Sequence, residues 1–132
     1  MNPKKEFFML IEAEKSPEEK QLLQVNTKVV SFEGGGMKEK LSFFREEIDC
    51  HTFDIVQYTP VIDLVVDDEG LLVSGNPVFE FPNGILIVGS FLVGRQVKTK
   101  EGIETVGFPS EEALWEQIHK DRFAYRVIGV TS

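Results

Sequence analysis

Apolar and polar residues repeat along this chain with two different periods. Between Thr52 and Val73 the period is two: within IDLVV, Ile62, Leu64 and Val66 fall on one side of an extended segment, and Asp63, Val65 and Asp67 fall on the other. Between Met37 and Ile48 the period is helical, with Met37, Leu41, Phe44 and Ile48 at i, i+4, i+7 and i+11 and Lys38, Lys40, Arg45, Glu46 and Glu47 on the remaining faces. The first pattern predicts strands and the second an amphipathic helix. In the half-buried strand that the alternation implies, Asp63 and Asp67 lie on the wet face, and Asp68-Glu69-Gly70 has the composition of a hairpin turn leading into a further strand, LLVSG.

The same logic places the other elements. EFFMLIE (Glu6 to Glu12) and TKVVSFE (Thr27 to Glu33) are compact runs rich in β-branched and aromatic residues and predict strands. The second stops at Gly34-Gly35-Gly36, because glycine opens conformations closed to other residues. TFDIVQY predicts a strand ahead of the break at Thr59-Pro60, and VFEF one between the turns Asn76-Pro77 and Pro82-Asn83-Gly84. Asn-Gly is a hairpin cue into ILIVGSFLVG (Ile85 to Gly94), which reads as one buried strand, since it has only half of the roughly 20 residues a membrane span needs. VKTKEGIETVG predicts a polar hairpin about Glu101-Gly102, and FAYRVIGV a closing strand. Two more segments start like helices. Ser16-Pro17-Glu18-Glu19 supports at most two turns, and Pro109-Ser110-Glu111-Glu112 opens a helix with Ala113, Leu114, Ile118 and Trp115 as its stripe, ending near Arg122. The resulting order predicts one α+β domain over residues 1–132, a mainly antiparallel sheet with two helices.

Composition narrows the function classes. A net charge of −8 repels duplex nucleic acid and anionic membrane surfaces. Eleven Phe within 42% hydrophobic residues supply enough apolar area to fold without disulfides or metals. Cys50 is the single cysteine, so an internal disulfide and multi-cysteine zinc schemes are excluded, and a reducing, cytoplasmic setting is expected. The apolar patch in MNPKKEFFMLIEAEK is short of the roughly 7–15 residues of a signal peptide's apolar region, so no export signal is read.

Several groups carry candidate chemistry. Asp63, Asp67, Asp68 and Glu69 would suit a divalent metal or an acid/base pair, but their spacing lacks the alternating register of a calcium loop, and a solvated turn explains them more simply. Gly34, Gly35 and Gly36 open a helix and could form a nest of backbone N–H groups for a phosphate, with Lys38 or Lys40 assisting, although neither a P-loop nor a dinucleotide fingerprint is present. Arg45 and Arg95, with Arg122 and Arg126, are the natural clamps for an anionic ligand, because guanidinium forks onto phosphate with two parallel bonds. Ordinary surface ion pairing is their alternative. Cys50 and His51 are adjacent and so point apart on an extended segment, which argues against a nucleophile and its base, and His119 reads as a surface residue.

The run IDLVVDDEGLL, followed by a Gly/Asn/Pro turn and then IVGSFLVG, resembles the core of an uncharacterised family of small phage, plasmid and bacterial proteins, with a D-x-x-V-D-E-x-G-x-L signature and a closing G-[ST]-x-x-V-G strand. The likeness covers roughly Val56 to Arg95; here the turn reads Gly75-Asn76-Pro77, and the segment from Val97 lies outside it. It implies a phage or mobile-element origin, placing the protein in the host cytoplasm, and transfers no catalytic residue. The leading expectation is a non-enzymatic binding protein without cofactor or metal, which sequesters a host component, either a host protein or a small anionic ligand such as a signalling nucleotide in an anti-defence role. Its candidate ligand residues are Gly34, Gly35, Gly36, Lys38, Arg45 and Arg95. The rivals are an acidic nucleic-acid mimic that blocks a host protein, a metal-dependent hydrolase using the acidic cluster, and a module that forms a homodimer through an exposed strand.

Overall fold

A computed structural model of the protein describes residues 5–14, 24–73 and 75–131. The short helix expected at Ser16 lies outside them. Among the described residues nine strands and two α-helices follow one another as β1 (Lys5–Glu14), β2 (Gln24–Glu33), α1 (Met37–Ile48), β3 (Phe53–Gln57), β4 (Ile62–Asp67), β5 (Pro77–Glu80), β6 (Leu86–Val88), β7 (Phe91–Thr99), β8 (Gly102–Val106), α2 (Glu111–Lys120) and β9 (Arg126–Val130). Every strand pairing among the described residues is antiparallel, and the class is α+β, as the element order predicted.

Two sheets share the strands. The larger has the order β2-β1-β7-β4-β3, with β8 also paired to β7, and the smaller has the order β6-β5-β9. Strand β7 is the hinge of the large sheet. Its first residues pair with β1 through Ile11↔Phe91 and Met9↔Val93, and its later ones pair with β8 through Arg95↔Val106 to Thr99↔Gly102. The end of β8 and the start of β1 therefore meet beside Gly94, where Phe7 and Phe108 exchange backbone hydrogen bonds of 2.9 and 2.7 Å.

Both faces of the large sheet are covered. Helix α1 lays Phe44 and Ile48 over Phe8, Leu10, Val65 and Leu92. On the opposite face Met9, Ile11, Ile62, Leu64, Phe91 and Val93 pack against Phe79, Phe81 and Ile87 of the small-sheet layer and Leu114 of α2. The second core is strongly aromatic: Phe81 lies 5.7 Å from Phe91 and 5.6 Å from Phe123, and Phe79 lies 5.2 Å from Tyr125, mostly edge to face, the arrangement the ring quadrupoles favour.

This layering corrects three expectations. Strand β4 is buried on both faces from Ile62 to Val66, so Asp63 is not on a wet face; it is 2% exposed. Strand β4 pairs with β3 and β7 and not with a strand directly following the acidic turn, because Gly70–Leu72 form a 3-10 turn in place of a hairpin arm. A Cβ on Gly70 would stand 2.6 Å from the Val88 carbonyl oxygen, so the chain is pressed there against β6 as it crosses to the small sheet, leaving Leu71 and Leu72 more than 70% exposed. The run Ile85 to Gly94 is not one strand. It breaks at Gly89, whose φ of +87° turns the chain from β6 of the small sheet into β7 of the large one.

Helix α1 has the predicted bounds but a shifted face. Phe44 and Ile48 are buried, while Met37 is 54% exposed and Lys40 is buried in its place. The helix ends at Asp49, in the left-handed region at φ 52°, with the Asp49 N–H donating to Glu46 O and the Cys50 N–H to Arg45 O. Helix α2 starts at Ser110, whose Oγ accepts the Ala113 N–H at 3.0 Å, as its sequence signature predicts. The Asn83-Gly84 cue also holds, closing β5 onto β6 with Gly84 at φ +89°.

Candidate functional site

The six residues expected to bind an anion do not form one site. Gly34 and Gly35 take φ of +69° and +76° at the link from β2 to α1, conformations that glycine adopts freely. The Glu39 carboxylate folds back to accept the Gly36 N–H at 2.8 Å. It thereby occupies the anion position at the start of the helix dipole. Lys38 is exposed on the same turn. Arg45 stands about 13 Å further along the axis, at 1.5 Å per residue, with its guanidinium 5.5 Å from the centre of the Phe53 ring.

Arg95 is placed differently. On β7, opposite Val106, it lines a cavity of about 540 Å³ where the start of β1 meets the end of β8, with Lys5, Glu6, Lys40, Val97, Val106, Gly107, Phe108 and Pro109. That volume lies within the roughly 300–1,000 Å³ of small-molecule sites. The floor is the Gly107 peptide, held from both sides: Glu6 Oε1 accepts its N–H at 2.9 Å and Arg95 Nε donates to its carbonyl at 2.8 Å. A Cβ on Gly107 would stand 2.8 Å from Glu6 Cβ, from the Phe7 nitrogen and from the Phe8 ring, so only glycine fits without displacing β1.

Lys40 reaches this corner from the first turn of α1. Its ammonium donates to Glu6 Oε1 at 3.0 Å and lies 3.6 Å from Glu104 Oε1. These contacts, together with the Phe32 ring 6.0 Å from its Nζ, are how a lysine comes to be buried on the helix face where an apolar residue was expected. Lys5 stands with its ammonium 5.6 Å from the centre of the Phe7 ring and has no ion pair among the described residues.

A polar row crosses the helix-covered face of the large sheet near this corner. Register puts Gln57 opposite Asp63, Asp63 opposite Gly94, and Gln96 opposite Thr105, all on that face. Asp63 Oδ2 accepts the Thr105 hydroxyl across β7 at 2.7 Å, and Gln57 Nε2 donates to Gln96 Oε1 at 3.0 Å beside it. Asp63 Oδ1 is buried and has no hydrogen-bond partner among the described residues. Burial raises the Asp63 carboxyl above the usual aspartate range, against a smaller lowering by Thr105.

Asp67 and Glu69 of the same motif serve the turn. Asp67 Oδ1 accepts the Glu69 N–H at 2.9 Å, and Glu69 Oε1 accepts the Thr52 hydroxyl at 3.2 Å. Asp63 and Asp67 are about 13 Å apart along the strand. Among the described residues no three His, Cys, Asp or Glu side chains converge in a way that would hold a metal ion. The Cys50 thiol is pushed up to about 11, chiefly by burial and then by the Asp67 carboxylate, so it is protonated at neutral pH and a weak nucleophile. His51 and His119 are both exposed, and His119 Nδ1 donates to the Trp115 carbonyl at 2.8 Å. Arg126 is paired with Glu80, to which its Nε donates at 2.7 Å.

Sequence reading therefore reached Arg95 and named Lys40 as an assistant to the glycines, but it missed Lys5, Glu6, Gly107 and Phe108. The Glu6 to Gly107 bond joins residues 101 positions apart, and no local pattern signals it. No helix of the described residues is long and apolar enough to cross a membrane. Comparison with protein-family models, with curated proteins and with solved structures returns no match to this chain.

Proposed function

We propose that this chain is a non-enzymatic binding protein that captures a small anionic ligand in the cavity lined by Arg95. The observation that carries the reading is the state of that arginine. Its Nε is fixed to the Gly107 carbonyl, and its two terminal nitrogens have no hydrogen bond or ion pair among the described residues. A guanidinium that is rigidly held yet unpaired, in a chain of net charge −8, is poised to accept an anion from outside. Lys5 and Lys40 add positive charge at the same corner, where the mean field of the molecule would otherwise repel the ligand.

On the resemblance of Val56 to Arg95 to phage and plasmid proteins, we further infer that the ligand is a host component and that its capture is the biological effect. The supporting feature is chemical: the cations gathered at this corner, Arg95, Lys5 and Lys40, are groups suited to holding an anion. Titration calorimetry with a panel of nucleotides and sugar phosphates tests the proposal. Saturable heat that disappears in Arg95→Ala is the expected result. Equal heats from parent and variant, or none from either, would remove the cavity from consideration.

A further inference from the structure

We infer that the ligand of this cavity is a phosphomonoester, carrying one terminal phosphoryl group on a flat, weakly polar body, and not a di- or triphosphate; the inference rests on the cavity being the binding site. A donor count is its basis. Because Arg95 Nε is spent on Gly107 O at 2.8 Å, the guanidinium cannot offer its side-on pair of hydrogens. Four N–H groups remain on Nη1 and Nη2, and among them only the end-on pair, one from each nitrogen, makes a two-bond fork, which engages one phosphoryl group.

The charge around the cavity has the same limit. Lys5, Lys40 and Arg95 give three positive charges, and Glu6 with Glu104, 3.6 Å from the Lys40 ammonium, give two negative ones, a surplus of 3 − 2 = +1. Lys40 is already engaged by both acids. Of the cations around the cavity, Arg95 and Lys5 have no carboxylate partner among the described residues, two charges against the −1.5 to −2 of a phosphomonoester at pH 7. A second or third phosphoryl group would find no uncommitted cation and would face the Glu6 carboxylate that lines the same space. The molecule's excess of acids adds repulsion that grows with ligand charge.

The rest of the lining says what the phosphoryl group is attached to. Val97, Val106, Phe108 and Pro109 are apolar walls with no side-chain hydrogen-bonding groups, and Phe108 is fixed by its paired backbone bonds to Phe7. Such walls take an aromatic or heterocyclic ring, adding affinity that free phosphate lacks.

Calorimetry on the full chain with phenyl phosphate, adenosine mono-, di- and triphosphate and inorganic phosphate provides the test. A monophosphate is expected to bind at least tenfold more tightly than the di- and triphosphates and than inorganic phosphate. Arg95→Lys, which keeps the charge but loses the fork, and Lys5→Gln, at an exposed position, are each expected to weaken the monophosphate at least tenfold, with the melting temperature unchanged in Lys5→Gln. Di- or triphosphate binding as tight as monophosphate overturns the one-phosphoryl inference while leaving the site in place. Inorganic phosphate binding as tightly as the esters overturns the role of the walls. If no compound saturates, or if neither variant alters a binding that is seen, the site itself is wrong.

Discussion

Replacing Asp63 by asparagine should stabilise the protein, and by an amount that depends on pH. Asp63 is 2% exposed, with Oδ2 bonded to Thr105 and Oδ1 without a partner among the described residues. Burial raises its carboxyl, so the native state holds a proton at pH values where the unfolded chain, near 3.9, has lost it. The folded pKa of this acid lies above the unfolded one. Stability is therefore lost as pH rises from the unfolded value through the folded value, and stays lost above it. The asparagine side chain carries no charge at any of these pH values and keeps an acceptor for Thr105. A buried polar group left without a partner costs about 1–3 kcal/mol, and since the amide N–H of the variant also lacks an acceptor we expect a gain near the lower end, about 1 kcal/mol. At this chain length that corresponds to roughly 3–5 °C in melting temperature. Urea and thermal unfolding of parent and variant at pH 7.5, and in steps toward pH 4, would measure it. The gain should shrink toward acid pH as both forms become neutral. A variant less stable than the parent at pH 7.5, or a gain that is flat with pH, would refute the assignment of Asp63 as an uncompensated buried carboxyl.

Other substitutions probe the scaffold. Gly107→Ala, whose Cβ would stand 2.8 Å from Glu6, Phe7 and Phe8, should cost at least about 2 kcal/mol by overpacking, measured by urea unfolding. Phe81→Ala, which deletes a ring 1% exposed at the centre of the aromatic core, should cost about 3–5 kcal/mol in the same assay. Leu71→Ser with Leu72→Ser should change stability by less than about 0.5 kcal/mol per site, because both leucines sit on an exposed turn and not in a strand. Alkylation of Cys50 should be slow at pH 7.5 and rise about tenfold per pH unit toward 11; a fast, pH-independent rate would contradict the protonated, half-buried thiol.

Local chemistry explains which elements were legible in the sequence. The stripe Phe44 and Ile48, the Ser110 cap, the Asn83-Gly84 turn and the Glu101-Gly102 hairpin each depend on residues within a turn or two of one another, and each formed as its pattern implied. The misreadings share a cause. The alternation in IDLVVDDEG suggested one wet face for β4, but covering both faces of the sheet is a property of the layers packed on it, α1 on one side and the small sheet with α2 on the other. The same applies to ILIVGSFLVG, where the apolar run gives burial but not the sheet to which each half belongs.

The candidate site follows the same division. Arg95 stood out as a scarce cation in an acidic chain, and the residue type alone pointed to anions. Its orientation depends on the Gly107 carbonyl, and the cavity depends on the start of β1 being brought to the end of β8. The amino-acid sequence by itself determined most of the element types, the α+β class and the negative charge, because these come from periodicity, turn chemistry and composition. Which acid is buried, where two lysines and an arginine meet, and how the strands divide between two sheets were decided only by tertiary packing, since these involve residues as far as 101 positions apart.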